Sequence, residues 1–530
     1  MNPTANTGTR VIDRLLQELA VKKAAAAAMG GPEQVSKQHA RGKLTARERV
    51  DRFFDRGSFV ELAGLARSQN LDFGMHVRET PADGVVIGHG RVNGRDACVY
   101  ATDFTILAGS AGETHAAKIA SIVELAGRLR VPVVGLLDSA GARLQEGSAL
   151  SRPFNKIFIN QSIFSGVIPQ IQVLMGPCAA GQGYSPMLSD FLIMTERTAY
   201  MWLGGPRLTQ AATGENINDR IVGSALSNML TGQCDFIAED DDAALALARR
   251  LLSYLPQRCD ELPPVAASDD PADRREEALL DVLPDSPRET YDMHQVIDLV
   301  VDHGSFLEIK DRFAPNIITG FARLQGMVVG IIANNPDEMG GVMEHDCSDK
   351  YMRLMTFCDA FAIPIITLVD TPGFVVGRNW EDKGILRHGA KLLYGYACAT
   401  VPKISVIIRR SYGGGNVVMG SKTMGADFSF AWPTAEISIM GPESAAAVIW
   451  SEDLKKAKTS EVHEALLEER CREYRDKYIN ILSLAENYRY DFVDDVIDPR
   501  DTRGVLIRAL RALANKRVEL PRRKHGNPPQ

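Results

Sequence analysis

The sequence has no CxxC pair and no Cys/His cluster at metal-ligand spacing; its eight cysteines (98, 178, 234, 259, 347, 358, 398 and 471) are scattered through apolar segments. That pattern excludes a disulfide framework and a zinc ribbon, and predicts reduced core thiols in a cytoplasmic protein with no bound metal. No apolar run approaches the roughly 18 to 20 residues of a membrane span. The N-terminus has no basic region followed by an apolar one, so neither a spanning helix nor a signal peptide is expected. Positive charge is not in excess: 60 Lys and Arg stand against 67 Asp and Glu, a net charge of −7. This excludes a broad nucleic-acid surface, and the basic tail Arg522 to His525 reads as a solvated end. A Gly-x-Ser-x-Gly elbow is also missing, which argues against a serine hydrolase.

What is present is a long internal repeat. Shifted along itself by 232 residues, the chain places Arg91-Val-Asn-Gly94 on Arg323-Leu-Gln-Gly326 and Val131-Pro-Val-Val-Gly-Leu-Leu-Asp138 on Ile363-Pro-Ile-Ile-Thr-Leu-Val-Asp370. Ala140-Gly141 falls on Pro372-Gly373 without a gap. With small insertions the match continues through Asp190-Phe191 on Asp427-Phe428 and Gly205-Pro206 on Gly441-Pro442. A repeat of this length is a whole domain rather than a solenoid unit. The expected organisation is one domain over 1–259, a linker rich in Pro, Asp and Glu over 260–288, and a second domain over 289–530. Within each copy, short Val/Ile-rich runs (97–101, 131–137, 171–175) alternate with helical patterns (115–130, 350–362). Buried strands separated by helices predict an α/β fold with mostly parallel pairing. A further helix is expected from Val11 to about Met29.

Two glycine-rich turns stand at corresponding strand ends, Gly176-Pro-Cys-Ala-Ala-Gly-Gln-Gly-Tyr-Ser-Pro186 and Ser411-Tyr-Gly-Gly-Gly-Asn-Val-Val-Met-Gly-Ser421. Backbone N–H groups at a helix start are unpaired and favour negative charge. Three readings are open. A phosphate cradle calls for GxxxxGK[ST] or GxGxxG, which neither turn carries. A purely structural turn uses glycine for positive φ. An oxyanion hole, aimed at a carbonyl oxygen becoming an enolate, accounts for the recurrence in both copies.

Several longer motifs, in order, resemble one family. Asp138-Ser-Ala-Gly-Ala-Arg-Leu-Gln-Glu-Gly147, Val369-Asp-Thr-Pro-Gly-Phe374, Arg387-His-Gly-Ala-Lys-Leu-Leu393, Tyr412-Gly-Gly-Gly415, Ala431-Trp-Pro-Thr-Ala-Glu436 and Met440-Gly441 are similar to the biotin-dependent acyl-CoA carboxyltransferases, of the propionyl-CoA carboxylase β-subunit type. The match runs from Gln38-His-Ala-Arg-Gly-Lys-Leu-Thr-Ala-Arg-Glu-Arg49 to Arg523-Lys-His-Gly-Asn527. The resemblance implies two tandem crotonase-like (ClpP-like) domains related by duplication, the first for acyl-CoA and the second for biotin. It implies a homohexamer whose site joins the first domain of one subunit to the second of another.

On this resemblance the N–H groups of Ala180 and Gly181 hold the thioester oxygen, with Gly141, Ala142, Arg143, Tyr184 and Val417 around the substrate. Those of Gly414 and Gly415 hold the ureido oxygen of biotin, with Gly373, Phe374 and the run Ala333-Asn334-Asn335-Pro336 around it. The chain has no Met-Lys-Met attachment motif and no evident ATP-binding module. Biotin is therefore expected on a carboxyl carrier partner, charged by a separate biotin carboxylase. The related decarboxylase component of a sodium-pumping complex is the alternative, and a non-enzymatic acyl-CoA-binding scaffold is the third.

The other polar residues carry blander readings. His115, His345 and His388 are expected to be hydrogen-bonded residues rather than ligands. Arg143 and Glu146, at i, i+3 spacing, either pair with each other or serve the CoA entrance. Asp138 and Asp370 end equivalent strands, where turn stabilisation competes with an acid/base role. Departures from the family pattern are Ala180 where two glycines are usual, Val417 where an Asp is common, Asn228 where a His is common, and the stretch Gly147 to Phe154. Val417 leaves the acyl group open among acetyl, propionyl and longer or branched chains.

Overall fold

The repeated Asn93-Gly94 and Gln325-Gly326 each close a two-residue hairpin, with φ of 52° and 76° in the first and 49° and 76° in the second. Positive φ at both positions is the turn geometry that matches the twist of paired strands, and glycine makes its second half easy. The computed structural model describes residues 10–218, 221–286, 289–457, 459–486 and 492–529. Two units divide the chain, residues 1–259 and 260–530.

Unit 1 carries β1 (Val60–Leu62), β2 (Val85–Val92), β3 (Arg95–Thr102), β4 (Val133–Leu137), β5 (Gln170–Leu174), β6 (Pro177–Ala179), β7 (Phe191–Thr195), β8 (Tyr200–Trp202) and β9 (Phe236–Ala238). Unit 2 carries β10 (Leu307–Glu308), β11 (Ile317–Leu324), β12 (Met327–Asn334), β13 (Ile365–Thr371), β14 (Lys403–Tyr412), β15 (Phe428–Ala431), β16 (Glu436–Ser438) and β17 (Asp495–Val496). Among the described residues the sheet orders are β1-β2-β3-β4-β5-β7-β9 and β10-β11-β12-β13-β14-β15-β17. In both, the first two pairings are antiparallel and the rest parallel. Beside each sheet a short parallel pair forms at its end, β6 with β8 in unit 1 and the last residues of β14 with β16 in unit 2. This α/β arrangement is the crotonase-like fold, and the shared topology supports the duplication inferred from the register.

The central strands β4, β5 and β13 are buried throughout, so they read as continuous apolar runs rather than alternating ones. Helices Glu113–Leu129 and His345–Ala360 occupy equivalent places before β4 and β13. Arg130 and Ala362 follow them at φ of 59° and 54°, and Pro132 and Pro364 then exclude further helix.

The acidic, proline-rich stretch from 260 is packed onto unit 2. Leu279 and Val282 join its core. Arg274 is bonded to Asp270 at 2.7 Å and to the Val301 carbonyl. Arg503, 1% exposed, donates to Asp302 at 2.7 Å and to the Asp270 and Pro271 carbonyls. Asp302 in turn accepts from the N–H groups of Gln325 and Gly326, so the strap, the last helix and the hairpin turn share one ionic anchor.

Unit 2 also contains a pH-sensitive pair. His294 lies 3.0 Å from Glu308 and 2.6 Å from Asp292, and hydrogen bonding to these carboxylates raises its pKa to about 9 against the opposing effect of burial. A histidine whose folded pKa lies above its unfolded value stabilises fully below about pH 6.5, and that contribution is lost as pH rises through about 9. The urea midpoint of the wild type is therefore expected to fall over this window relative to His294→Gln. Parallel pH profiles of the two proteins would rule this out.

Candidate active site

β6 ends at Ala179 and breaks into the turn Ala180–Gly183; β14 ends at Tyr412 and breaks into the short helix Gly413–Val418. The residues before the breaks are extended, Ala179 at φ −119°, ψ 155° and Tyr412 at φ −110°, ψ 144°. The first residues after them are left-handed, Ala180 at φ 55° and Gly413 at φ 54°. The two turns thus match residue by residue, Ala180 with Gly413 and Gly181 with Gly414. This register stands one residue from the pairing of Ala180-Gly181 with Gly414-Gly415 that the resemblance implies. Glycine takes this φ freely, whereas a residue with a Cβ meets a cost of roughly 1–2 kcal/mol. Ala180 is thus a strained residue at the tip of the turn.

Neither turn is capped by the side chain at its N-cap, and among the described residues its first N–H groups have no side-chain acceptor. The glycines make room for the protein itself. A Cβ on Gly415 would lie 2.7 Å from Thr371 Cγ2 and 3.0 Å from Gly373 Cα, and one on Gly414 would lie 3.0 Å from the Phe374 ring. Gly373, Phe374, Gly414 and Gly415 are accordingly brought together. In unit 1, Gly141 at φ 110° approaches the Ala179 carbonyl as Gly373 at φ 111° approaches that of Tyr412.

The flanking bonds repeat as well. Ala142 bridges Ala111 as Phe374 bridges Met343. Ala111 donates to Gly141 as Met343 donates to Gly373, both at 2.9 Å.

Other expected site residues are placed differently. Arg143 is buried and bonded within the protein, to Asp83 at 2.8 Å, Glu146 at 2.7 Å and the Ser110 carbonyl at 2.8 Å. Ala333 to Pro336 is buried at the end of β12. There the Asn334 amide accepts from Asp370 N and donates to Met343 Sδ, and Asn335 accepts from Met293 N. Tyr184 is 53% exposed and meets the edge of Phe158. Val417 is half-buried within the helix after Tyr412. Asn228 is buried and donates to the carbonyls of Met201, Gly223 and Ser224, holding the β8 edge.

His115 is fully buried and held neutral, its pKa pushed down to about 3 by burial, with Nδ1 3.0 Å from the Asp83 carbonyl. His388 lies 3.0 Å from Asp349. Glu344, His345 and Asp346 bring ligand atoms within 4.8 Å of one another, but the Glu344 carboxylate caps helix His345–Ala360 by accepting from Asp346 N and Cys347 N.

Beneath each turn lies a buried aspartate. Asp138, 0% exposed, accepts from Lys43 at 2.6 Å, Arg49 at 3.1 Å and Gln38 at 2.8 Å. Arg49 also bonds Asp241 at 2.8 Å. Burial lowers the Lys43 pKa, opposed by the attraction of Asp138. Asp370, also 0% exposed, accepts from Arg409 at 2.9 Å and Arg410 at 2.7 Å. The sequence showed both aspartates but not their partners, which come from 95 residues away in one case and 39 in the other. At the second turn, Tyr412 donates to Glu436, which Arg475 also holds at 2.5 Å. Burial and the neighbouring carboxylate raise the Tyr412 pKa, so the phenol remains a donor.

Openings in unit 1 include one that adjoins the first turn and one beside the segment 104–108. A narrow apolar slot of about 30 Å³ is lined by Tyr100, Leu137, Phe154, Phe158, Cys178 and Gln182. A cleft of about 490 Å³ has Lys37, Gln38, Arg41, Arg78, Glu79, Phe104 and Thr105 in its lining, three cationic residues against one anionic.

Among the described residues, uncapped turns recur at equivalent strand ends of two crotonase-like units, and a fold of this kind can aim backbone N–H groups at a substrate oxygen. The carboxyl transferase domain model matches residues 37–528, and the chain belongs to that family. It is 44% identical over 515 residues to the carboxyltransferase subunit of propionyl-CoA carboxylase from Haloferax mediterranei, covering 97% of this chain and 99% of that protein. It is 45% identical over 521 residues to the methylmalonyl-CoA decarboxylase subunit alpha of Veillonella parvula, covering 98% of each. A crystal structure of transcarboxylase 12S, described as a hexamer with hydrolysed methylmalonyl-coenzyme A bound, has a TM-score of 0.93 at 41% identity, over 99% of this chain and 100% of that one. The chain is a biotin-dependent acyl-CoA carboxyltransferase. Among the described residues no helix is long and apolar enough to cross a membrane.

Proposed function

We propose that this chain carboxylates the α-carbon of a short acyl-CoA, with propionyl-CoA the first substrate to test, as a cytoplasmic hexamer served by a biotin carboxylase and a biotin carrier protein. The observation that carries the reading is the pair of matched, uncapped donor turns, one in each unit. Similarity to propionyl-CoA carboxylase subunits over nearly the whole chain supports the substrate class.

The donor set fits both groups. A thioester oxygen gains negative charge as the α-proton leaves, and the N–H groups of Ala180 and Gly181 hold it in unit 1. In unit 2 the N–H groups of Gly414 and Gly415 would hold the ureido oxygen of biotin. Biotin, brought by the carrier, supplies the carboxyl group and a base for the α-proton. The chain's own residues orient the two partners, exclude water and keep the donors aimed where charge develops; loss of one such donor typically costs roughly 3–4 kcal/mol of barrier. The cationic cleft lined by Lys37, Arg41 and Arg78 suits the phosphates of CoA. Val417, on the helix after Gly413, is where the acyl group is selected.

The test combines the chain with a biotin carboxylase, a biotinylated carrier, ATP and bicarbonate, and measures carboxylation of acetyl-, propionyl-, branched and longer acyl-CoA. Propionyl-CoA is expected to show the highest kcat/KM. Transfer from methylmalonyl-CoA to the carrier, with no ATP-dependent carboxylation of any acyl-CoA, would instead assign the chain to decarboxylation. Binding of acyl-CoA without any carboxyl exchange would leave it a scaffold.

A further inference from the structure

The motif Gln38 to Arg49, of which Arg41 alone enters the proposed function, joins two features of unit 1. On one side, Gln38 and Arg41 line the cationic cleft. Arg41 and Lys43 lie over the ring of Phe104, also in that lining, at 5.4 and 4.6 Å from its centre. On the other side, Gln38, Lys43 and Arg49 converge on the buried Asp138. Asp138 supports the strand that ends in the thioester turn. Its Oδ1 lies 1.8 Å from where a Cβ on Gly176 would project, so its carboxylate packs directly on that backbone. Ser139 N donates to the Pro177 carbonyl at 2.9 Å, and Arg49 donates to that of Met175 at 3.3 Å. Ala180 follows three residues after Pro177.

Unit 2 solves the same problem locally. Arg409 and Arg410 belong to β14 itself and neutralise Asp370 from within the strand that carries the turn. In the matched register their counterparts are Gly176 and Pro177, which have no charge to offer. Unit 1 therefore imports its counter-charge from the arm that also lines the cleft.

We propose that residues 38–49 form a strut through which occupation of the cleft by the nucleotide of CoA sets the position of the Ala180-Gly181 turn, with Gln38 and Lys43 as positioning residues. This rests on the reading of unit 1 as the acyl-CoA half. The physical basis is that binding energy from a remote, unreactive part of a substrate raises kcat only when it is used to order the reacting centre.

The test uses the full chain with its biotin carboxylase and biotinylated carrier, and compares a CoA thioester with the pantetheine thioester of the same acid, which lacks the nucleotide. The wild type is expected to show a kcat at least about tenfold higher with the CoA thioester. Lys43→Met is expected to bring that kcat to within about twofold of the pantetheine value, leaving the pantetheine kcat and the KM for the CoA thioester within about twofold of wild type. Equal loss with both substrates would show ordinary structural damage and overturn the strut, as would a wild type with equal kcat on both. Lys43→Gln, which removes the charge and can keep a donor to Asp138, is read in the same way if Lys43→Met does not fold. A wild type that carboxylates neither thioester overturns the functional reading, and this coupling with it.

Discussion

Gly414→Pro is expected to lower kcat for carboxyl transfer by about 10²- to 10³-fold while the chain remains folded, because it deletes a single backbone donor at the second turn. The position is favourable for such a test. Gly414 stands in the first turn of the short helix Gly413–Val418, where proline is tolerated because the N–H has no helical acceptor to lose. Its added side-chain atoms face the Phe374 ring, 3.0 Å from an ideal Cβ, and that half-buried ring must shift by a few tenths of an ångström. Gly414→Ala supplies the control, since it adds the same Cβ and keeps the N–H. The ratio of the two variants therefore isolates the donor. A folded Gly414→Pro protein with transfer close to that of Gly414→Ala would sink the assignment of this N–H to the ureido oxygen.

The second large effect is on stability. Asp370→Leu leaves Arg409 and Arg410 without their shared carboxylate in a site where Arg409 is 7% exposed, and removing one partner of a buried ionic cluster costs about 3–5 kcal/mol. Part of the cluster is protected by other bonds: Arg409 also donates to the Glu289 carbonyl and Arg410 to that of Gly340. Those bonds hold the guanidinium groups in place, so the cations cannot swing out to water without breaking them. The expected result is a large drop in the urea midpoint of unfolding, recovered in good part by the triple variant Asp370→Leu, Arg409→Met, Arg410→Met, which removes the charges together. A single-variant loss below about 1 kcal/mol would mean that water already reaches the cluster.

Much of the architecture was legible in the chain. The strands expected at 97–101, 131–137 and 171–175 appear as β3, β4 and β5, because buried parallel strands are continuous apolar runs. The helices expected at 115–130 and 350–362 appear at Glu113–Leu129 and His345–Ala360, displaced at their ends where caps decide the boundary. The stretch from 260 was harder to read. Its polar, proline-rich composition suggests a linker, but Leu279, Val282 and the Asp270–Arg503 contact pack it onto unit 2.

By itself the sequence determined that two similar α/β units exist, that each presents a glycine turn at an equivalent strand end, and to which family those turns belong. These features are local or are repeated along the chain, so a period and a register reveal them. Only the tertiary structure decided that Ala180 matches Gly413, that Thr371, Gly373 and Phe374 are what the triple glycine accommodates, and that Asp138 and Asp370 are ionic anchors rather than acids or bases. The reason is physical. The burial of a carboxylate and the identity of its counter-ion depend on residues some 40 to 100 positions away, and no local pattern records which of them the fold brings near.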